Sequence, residues 1–390
     1  MKKSLFTQQW NIPVFFEHSR ISRKKEVLKL YLKYSKKTIK IILRYLICKD
    51  VDHRSLPQKI RDIKPAHLFV HDILRCWIKW KEFPFVYFFY NLWLKSFNPT
   101  NDVTDFIPVL SHEKYRDMHI TCKAKYMISS KISMSKFLHS MNIPHPRTFL
   151  HSELGRIYAE DNSIIEEEQF KSVLSTIKTN KIFVKPDIGY GGQDVMAFRK
   201  GEDNQFIDEK QGLIFDFDFI KKMSERMNFL CQEGLKQVDE LNILNPDSIN
   251  SLRIMTKFKD NQVKTFVTLI RMGRAGSHVD NTTSGGLSCE IDTETWILKR
   301  EAVFPFSNPL KTTICHPDTK VPFEGLKLPF REETLYLVEK NALLFPGCET
   351  IGWDIALTPE GPVIIEINWN PCPQLAQVTL RRGLAKEFFN

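Results

Sequence analysis

Two short aliphatic runs near the end of the sequence each carry polar side chains in their middles. The segment GWDIALTPEGPVIIEINWNP, residues 352–371, holds Asp354, Glu366 and Asn368 among residues typical of buried strands. The TPEGP sequence between the runs predicts a tight turn, and hence a β-hairpin. If the turn centres on Glu360, Asp354 lies directly opposite Glu366, and Asn368 points to the same face.

Two facing carboxylates in an apolar setting repel each other, and burial raises the cost of their charges. A divalent cation relieves both problems. Two carboxylates and an amide oxygen are hard ligands that suit Mg²⁺. Alternatively, a Lys or Arg from elsewhere neutralises the pair, and the hairpin alone leaves both interpretations open.

A lysine followed by glycines lies upstream, in IFVKPDIGYGGQDVMAF, residues 182–198. Lys185 ends a predicted strand, and a second strand follows Gly189, Gly191 and Gly192. Glycines let backbone N–H groups approach an anion, and the lysine adds a charge for phosphate. The pattern is neither a Walker A loop nor a dinucleotide fingerprint. Alone it is more often a tight turn, but a magnesium site downstream favours nucleotide phosphates.

Two further segments fit a nucleotide site. NFLCQEGLKQVDELN, residues 228–242, predicts a strand leading into a polar loop that could meet an adenine edge, with Asp239 or Glu240 on ribose hydroxyls. SINSLRIMTKF, residues 248–258, places Arg253 early in another strand, where a fixed guanidinium suits a phosphate. For each residue singly, an exposed loop carboxylate or a surface arginine is an equally good interpretation.

The remaining pattern alternates strands and helices. Strands are predicted at 182–186, 228–233, 251–258, 264–273 and 287–292, and helices at 131–141, 166–178, 217–227 and 331–345. This mix, with antiparallel hairpins, predicts an α+β fold rather than a doubly wound parallel sheet.

Composition places the chain among globular proteins that avoid disulfides. Eight scattered cysteines without a C-x-x-C pair suit a reducing compartment, and the N-terminus lacks the apolar stretch of a signal peptide. We therefore expect a cytoplasmic location. The cysteines are Cys48, Cys76, Cys122, Cys231, Cys289, Cys315, Cys348 and Cys372.

The basic excess lies in the first quarter of the chain. Residues 1–100 hold 21 Lys or Arg against 7 Asp or Glu, whereas residues 101–390 hold 35 against 39. A helix is predicted at 22–48, and the apolar, aromatic stretch 66–96 is interpreted as a buried helix of an N-terminal domain. The alternative is a basic surface that lies on an anionic membrane. No zinc spacing or RNA-binding signature supports a nucleic-acid partner.

The order of the motifs resembles the ATP-grasp superfamily, and more narrowly the sugar-transfer-associated ATP-grasp proteins, with the teichuronopeptide-type group related. It runs from Lys131 and NIPHP through VKP, QEGL and NSLRIMT to D-x-A-x-T-x-x-G-P-x-x-I-E-x-N. The resemblance covers roughly residues 115–390, and its last motif is the most specific. It implies an ATP-grasp fold in which two α+β subdomains, about 181–240 and 241–390, enclose ATP. A helical, basic region, 1–114, would precede them.

The resemblance also implies roles for the residues already named. Lys131 and Lys185 would contact the phosphates of ATP, although Ser130 stands where many relatives have Asp. The loop 189–193 would close over the phosphates, and Arg253 would face the transferring one. Adenine would be lined by Gln232, Glu233, Gly234 and Leu235. Magnesium, as two ions, would be held by Asp354, Glu366 and Asn368.

The loop RMGRAGSHVDNTTSGG, residues 271–286, is a candidate substrate site. Arg271 or Arg274 could bind a substrate carboxylate in bidentate fashion. Asn281 and the turn Gly285–Gly286 could shape an acceptor pocket. A flexible loop with solvated charges explains the same residues equally well.

These features together predict an ATP- and Mg²⁺-dependent carboxylate–amine ligase that acts through an acyl-phosphate, with Arg253, Lys185 and Arg271 as catalytic residues. The resemblance alone implies a cell-surface polysaccharide precursor as substrate, for example a uronic acid joined to an amino acid. A lipid-linked acceptor at the inner membrane face would fit the basic region 1–100. The alternatives are a kinase that phosphorylates a hydroxyl and a nucleotide-binding scaffold without turnover.

Overall fold

The computed structural model describes residues 62–189, 194–203, 205–208, 211–280, 282, 285–305, 307 and 310–389. The chain divides into two compact units, Met1–Thr104 and Asp105–Asn390, and each is described by itself. The helix predicted at 22–48 lies outside the described residues. The domain boundary predicted after residue 114 stays a prediction.

The described part of the first unit, residues 62–104, is helical. Helix α1 spans Ala66–Trp80, helix α2 spans Phe85–Phe89, and a short 3-10 helix lies at Lys95–Phe97. Asp72 joins the helices, because its carboxylate accepts hydrogen bonds from Tyr87 at 3.0 Å and from Lys64 at 2.9 Å.

The stretch 66–96 is buried only in part. Its aromatic second half is mostly buried, with Tyr87 and Tyr90 wholly enclosed. Helix α1 instead exposes one apolar face, formed by Val70, Leu74, Trp77 and Ile78. The expected buried helix is therefore wrong for α1. Among the described residues, no helix is both long and apolar enough to cross a membrane.

The second unit packs its described helices around two sheets. The helices are α3 (Val109–Met118), α4 (Cys122–Ser129), α5 (Lys131–Ser140), α6 (Glu167–Ser175), α7 (Phe217–Ser224), α8 (Asp239–Asn242), α9 (Arg331–Ala342), α10 (Pro373–Thr379) and α11 (Ala385–Phe389). A further 3-10 turn lies at Val103–Asp105, where the two units meet in sequence.

The first sheet is antiparallel and lies over its own apolar core. Its strands are β1 (Thr148–Glu153), β2 (Arg156–Ala159), β3 (Lys181–Pro186), β4 (Met196–Lys200), β5 (Phe206–Asp208) and β6 (Phe229–Glu233), in the order β2-β1-β6-β3-β4-β5. In β3, Ile182 and Val184 enter the core formed with α6 and α7. Strand alternation therefore sends Lys185 to the opposite face.

The second sheet is also antiparallel. Its strands are β7 (Leu252–Lys259), β8 (Gln262–Met272), β9 (Leu287–Ile291), β10 (Leu298–Phe304), β11 (Lys311–Thr313), β12 (Thr350–Thr358) and β13 (Gly361–Asn368), in the order β11-β10-β9-β8-β7-β12-β13. Trp353 and Trp296 are fully buried in its core, and Trp353 Nε1 donates to Thr256 Oγ1 at 2.8 Å.

The predicted elements are confirmed with small shifts of their ends. The five predicted strands are β3, β6, β7, β8 and β9, and the four predicted helices are α5, α6, α7 and α9. The α+β prediction is confirmed. Strands β1, β2, β5, β10 and β11 were not predicted. In β10, a register shift between Leu298 and Ala302 breaks the period-two pattern that identifies a strand.

The C-terminal hairpin has the predicted pairing but a different turn. Thr358 pairs with Gly361, so the loop consists of Pro359 and Glu360 and is not centred on Glu360. A register shift between residues 354 and 355 then adds one residue to β13. This bulge restores the predicted pair, Asp354 opposite Glu366.

Candidate active site

A cavity of about 230 Å³ opens between the two sheets. Both sheets and helix α5 line it. Its apolar lining includes Ile128, Met134, Leu138, Phe183, Leu230 and Ile364. Its charged lining consists of Lys131, Lys185, Arg253 and Arg271 together with Glu233, Asp280, Asp354 and Glu366. Such a mixture of apolar walls and convergent charged groups is typical of a ligand site.

Three of the charged residues form a row across the second sheet. Asp354 on β12 pairs directly with Glu366 on β13 and with Arg253 on β7. Direct cross-strand partners share a face, so the three side chains project together toward the cavity. Arg271 reaches the same row from β8, the next strand. The row exists because these strands are neighbours in the sheet, although they are distant in sequence.

Asp354 is held by two arginines. Arg253 donates Nε to Oδ1 at 2.6 Å and Nη2 to Oδ2 at 3.2 Å, and Arg271 donates Nη2 to Oδ2 at 3.1 Å. Burial alone would raise the pKa of the Asp354 carboxyl, but the two guanidinium groups outweigh burial and lower it. The salt-bridge interpretation thus describes Asp354 in this structure. Its role as a metal ligand stays a prediction.

Glu366 and Asn368, unlike Asp354, are not held by arginines in the part of the chain that the structure describes. About a third of the Glu366 side chain, 33%, is exposed, and its Oε1 lies 3.2 Å from Lys131 Nζ. Asn368 Nδ2 is buried and has no hydrogen-bond partner among the described residues. A half turn exchanges the nitrogen and oxygen of a side-chain amide. Asn368 can therefore offer a cation its oxygen at this position.

Lys131 is positioned by the start of helix α5. Ser130 Oγ caps the helix by accepting from Ser133 N at 3.1 Å. Asp187, which follows β3, accepts from Ser130 Oγ at 2.8 Å and from Ile132 N at 2.9 Å. Many relatives carry an Asp at position 130. Here Asp187 supplies a carboxylate at the same place, from the residue that follows β3. Lys131 Nζ donates to Gly189 O at 2.9 Å, which places it at the entrance to the glycine loop.

Lys185 projects from the end of β3 into the cavity. Its Nζ donates to Gln232 Oε1 at 2.8 Å, and Gln232 Nε2 donates to Thr148 Oγ1 at 3.0 Å. Burial lowers the pKa of Lys185 to about 8, although Glu366 opposes the shift. An incoming phosphate would raise that pKa again, because a nearby anion favours the ammonium form.

The donor set fits magnesium only together with an anionic ligand. The lining holds four lysines and arginines and four carboxylates, and Arg147 pairs with both Glu233 of the lining and Glu160, at 2.7 and 2.8 Å. The positive and negative groups therefore balance, so they offer a bare cation no net attraction. Phosphates would add negative charge, and Mg²⁺ commonly binds through one or two carboxylates plus substrate phosphates.

Most of the predicted nucleotide residues line the cavity. Gly189, Gln232, Glu233 and Leu235 do so. Gly234 lies between two of them, where its N donates to Lys181 O at 2.7 Å. A Cβ at Gly234 would meet that oxygen at 2.8 Å, so the close approach of the two strands requires glycine.

Other predicted residues lie elsewhere. Asp239 and Glu240 are exposed on α8 and do not line the cavity. Arg274 makes two hydrogen bonds to Asp318, at 2.8 and 2.7 Å, and does not line the cavity either. The same holds for Gly285 and Gly286. The residues Gly191, Gly192 and Asn281 lie outside the described part of the chain.

Sequence reasoning missed Ser251 and Asp280. Asp280 accepts from Ser251 N at 2.9 Å and from Ser251 Oγ, and Arg271 donates to Ser251 Oγ at 2.7 Å. Burial raises the pKa of the Asp280 carboxyl, against the effect of Arg271. The sequence did hold a signal for Asp280, because it is the acidic residue of the polar loop 271–286 and follows an apolar valine.

Two antiparallel sheets that enclose a cavity with these lysines and carboxylates define the ATP-grasp fold, and a family model agrees. The model described as "Sugar-transfer associated ATP-grasp" matches residues 111–390. The chain therefore belongs to the sugar-transfer associated ATP-grasp family. No curated protein matches the sequence.

Three solved structures that the chain matches share little sequence with it, and the chain spans less than two thirds of the length of each. An N5-carboxyaminoimidazole synthase from Aspergillus clavatus is 10% identical at a TM-score of 0.37, with 68% of this chain and 51% of that chain covered. A D-alanyl-alanine synthetase A from Vibrio cholerae is 9% identical at 0.37, with 70% and 63% covered. The ATP-grasp ligase PsnB is 13% identical at 0.35, with 69% and 60% covered.

The different burial of Asp354 and Glu366 predicts different effects on stability. Asp354→Ala leaves Arg253 without its carboxylate and leaves Arg271 only Asp280, 3.5 Å away, so we expect the free energy of unfolding to fall by about 3 kcal/mol. Glu366→Ala removes a partly exposed ion pair and should cost about 1 kcal/mol or less. Denaturant unfolding followed by circular dichroism measures both losses.

The matched control for this comparison is Glu360→Ala, in the exposed turn of the same hairpin, which should leave stability unchanged. Equal losses for Asp354→Ala and Glu366→Ala would contradict the arginine-clamped position of Asp354.

Proposed function

We propose that the chain is an ATP- and Mg²⁺-dependent carboxylate–amine ligase that acts through an acyl-phosphate. The observation that carries this proposal is the row Glu366–Asp354–Arg253, which faces Lys131 and Lys185 across one cavity. Carboxylates for a metal and cations for phosphates thus converge on the same space. That arrangement suits phosphoryl transfer, which depends on positioning and on charge stabilisation.

Each residue of the cavity would bind the part of the ligand nearest to it. Lys131 and Lys185 would bind phosphate oxygens of ATP, and the backbone from Gln232 to Leu235 would contact adenine. Asp354, Glu366 and Asn368 would hold magnesium, as two ions. When bound, magnesium would offset the phosphate charge and polarise the bond that breaks.

The chemistry needs no nucleophile from the protein. An oxygen of the substrate carboxylate attacks the γ-phosphorus of ATP, a new O–P bond forms, and ADP leaves with the electrons of the old bond. An amine then attacks the acyl carbon, and phosphate leaves. Arg253 lies in the cavity next to the predicted metal ligands, where its charge would stabilise the transferring phosphoryl group.

Arg271 would orient the acid. Its guanidinium already bridges Asp354 and Ser251, so it is fixed in place before substrate arrives. A fixed guanidinium binds a carboxylate with little loss of side-chain freedom. We propose an acidic sugar, such as a uronic acid of a cell-surface polysaccharide precursor, as the acid and an amino acid as the amine. The sugar follows from the description of the family.

Product analysis tests the ligase proposal. The purified chain with MgATP and a panel of uronic acids should release inorganic phosphate and form hydroxamate when hydroxylamine is the amine. Lys185→Ala should lower the rate about 100-fold, because it removes a preorganised cation at the phosphates. The matched control is Lys222→Ala, since Lys222 lies exposed on α7.

Two outcomes would overturn the ligase. A kinase would leave the phosphate on the sugar and form no hydroxamate. A nucleotide-binding scaffold would bind ATP without turnover with any acid of the panel.

We further propose that the first unit brings the enzyme to an anionic membrane surface, at the inner face of the cytoplasmic membrane. On helix α1, Val70, Leu74, Trp77 and Ile78 are 51%, 45%, 55% and 64% exposed. Arg75 lies among them in sequence, and Lys79 and Lys81 follow directly after them. An apolar face bordered by cations is typical of helices that lie in the membrane interface. A lipid-linked acceptor would meet the enzyme there.

Vesicle sedimentation tests this surface. The chain should bind vesicles that contain phosphatidylglycerol at physiological salt and should bind phosphatidylcholine vesicles much less. The double change Trp77→Ala and Ile78→Ala should weaken binding at least about tenfold, since it removes two large apolar side chains from the face. The control is Leu154→Ala, an exposed leucine of the second unit. A wild-type chain that ignores anionic vesicles would refute the membrane proposal.

A further inference from the structure

Asp280 is a largely buried carboxylate in the cavity wall, and one of its two oxygens has no close partner among the described residues. Its Oδ2 accepts from Ser251 N at 2.9 Å and from Ser251 Oγ. The nearest cation to Oδ1 is Arg271 Nη2, at 3.5 Å, which is beyond an ordinary hydrogen bond. Among the described residues, Oδ1 thus has no close donor.

The other carboxylates of the cavity are paired with arginine or lysine or belong to the proposed metal site. Asp354 is held by two arginines, and Glu233 by Arg147. Glu366 faces Lys131 and belongs to the proposed metal set. Asp280 is therefore the carboxylate that remains for a positively charged substrate group.

A charged amine needs such a partner in this cavity. An ammonium group there would lie near Lys185, Arg253 and Arg271, so it would be repelled without a local anion. Asp280 also lies close to where the acyl-phosphate would form. Arg271 contacts Asp354 on one side and Asp280 on the other, so a single guanidinium group separates Asp280 from the proposed metal and phosphate site.

We propose that Asp280 Oδ1 binds the ammonium group of the amine substrate and accepts one of its protons. This inference rests on the proposed ligase function. The freed amine attacks the acyl carbon, a C–N bond forms, and the C–O bond to phosphate breaks. Its electron pair leaves with phosphate, which takes the second proton from nitrogen. Asp280 returns its own proton to water.

The surroundings of Asp280 suit this task. Burial raises the pKa of its carboxyl, Asp354 adds to the effect, and Arg271 and Ser251 oppose it. A carboxylate whose pKa is raised is a better proton acceptor than an ordinary aspartate. Ser251 holds Oδ2 in place, so Oδ1 is oriented before the amine arrives.

The variant Asp280→Asn separates amine binding from the rest of the reaction. Its amide oxygen can still accept the two bonds from Ser251, while the amide nitrogen replaces the oxygen assigned to the ammonium group. The assay uses two amine probes with the same acid. Glycine carries an ammonium group, whereas hydroxylamine is largely uncharged near neutral pH.

We expect Asp280→Asn to lower kcat/KM for glycine about 100-fold, because it removes both the anion and the proton acceptor. Hydroxamate formation should fall about threefold or less, since it needs the acyl-phosphate but no ammonium site. Asp280→Glu should recover part of the glycine activity. The matched control is Asp260→Asn, which should leave both activities unchanged. Asp260 lies in the β7–β8 turn at a positive φ of 52°, which asparagine adopts readily.

Three results would overturn the inference. Unchanged glycine kinetics in Asp280→Asn would show that the amine binds elsewhere. An equal loss with both probes would show that Asp280 only supports Arg271 and acyl-phosphate formation. If the wild type forms no hydroxamate with any acid, the ligase proposal fails and the amine site fails with it.

Discussion

The repulsion between like charges in one enclosed space is the constraint on which the site depends. Arg253 and Arg271 are both largely buried, and their charges are offset by Asp354 between them and by Asp280 beside Arg271. Glu366 in turn offsets Lys131 and Lys185 from the other strand of the hairpin. Removing Asp354 would leave Arg253 in a poorly solvated setting, where an unpaired charge is costly.

The antiparallel sheets make this balance possible. Strands β13, β12, β7 and β8 are consecutive neighbours, so residues from four separate segments meet in one row. The first sheet faces that row with Lys185, and helix α5 adds Lys131 where Asp187 fixes its first turn. The charged row and the two lysines are thus held on strands and a helix, although residues 278–280 add loop backbone to the lining. Preorganised charges of this kind lose little energy to rearrangement during a reaction.

Strand periodicity in the sequence was enough to predict which residues of the hairpin face each other. It was not enough to predict contacts between strands that are distant in sequence. The pairing of Asp354 with Glu366 follows from a period of two, even though a bulge corrected the assumed turn. The arginine clamp was predicted only as an unspecified alternative, because no local pattern reports which strands become neighbours. Asp280 was missed for the same reason, since its partner Ser251 lies on a different segment.

The charge balance of the cavity leads to one central claim: magnesium binds here together with ATP and through Glu366. Titration calorimetry of ATP with and without Mg²⁺, on the wild type and on Glu366→Ala, tests it most directly. We predict that magnesium alone gives no binding heat, that it tightens ATP binding at least about tenfold, and that Glu366→Ala removes most of that gain. ATP binding that is absent, or that ignores both the metal and Glu366, would contradict the account.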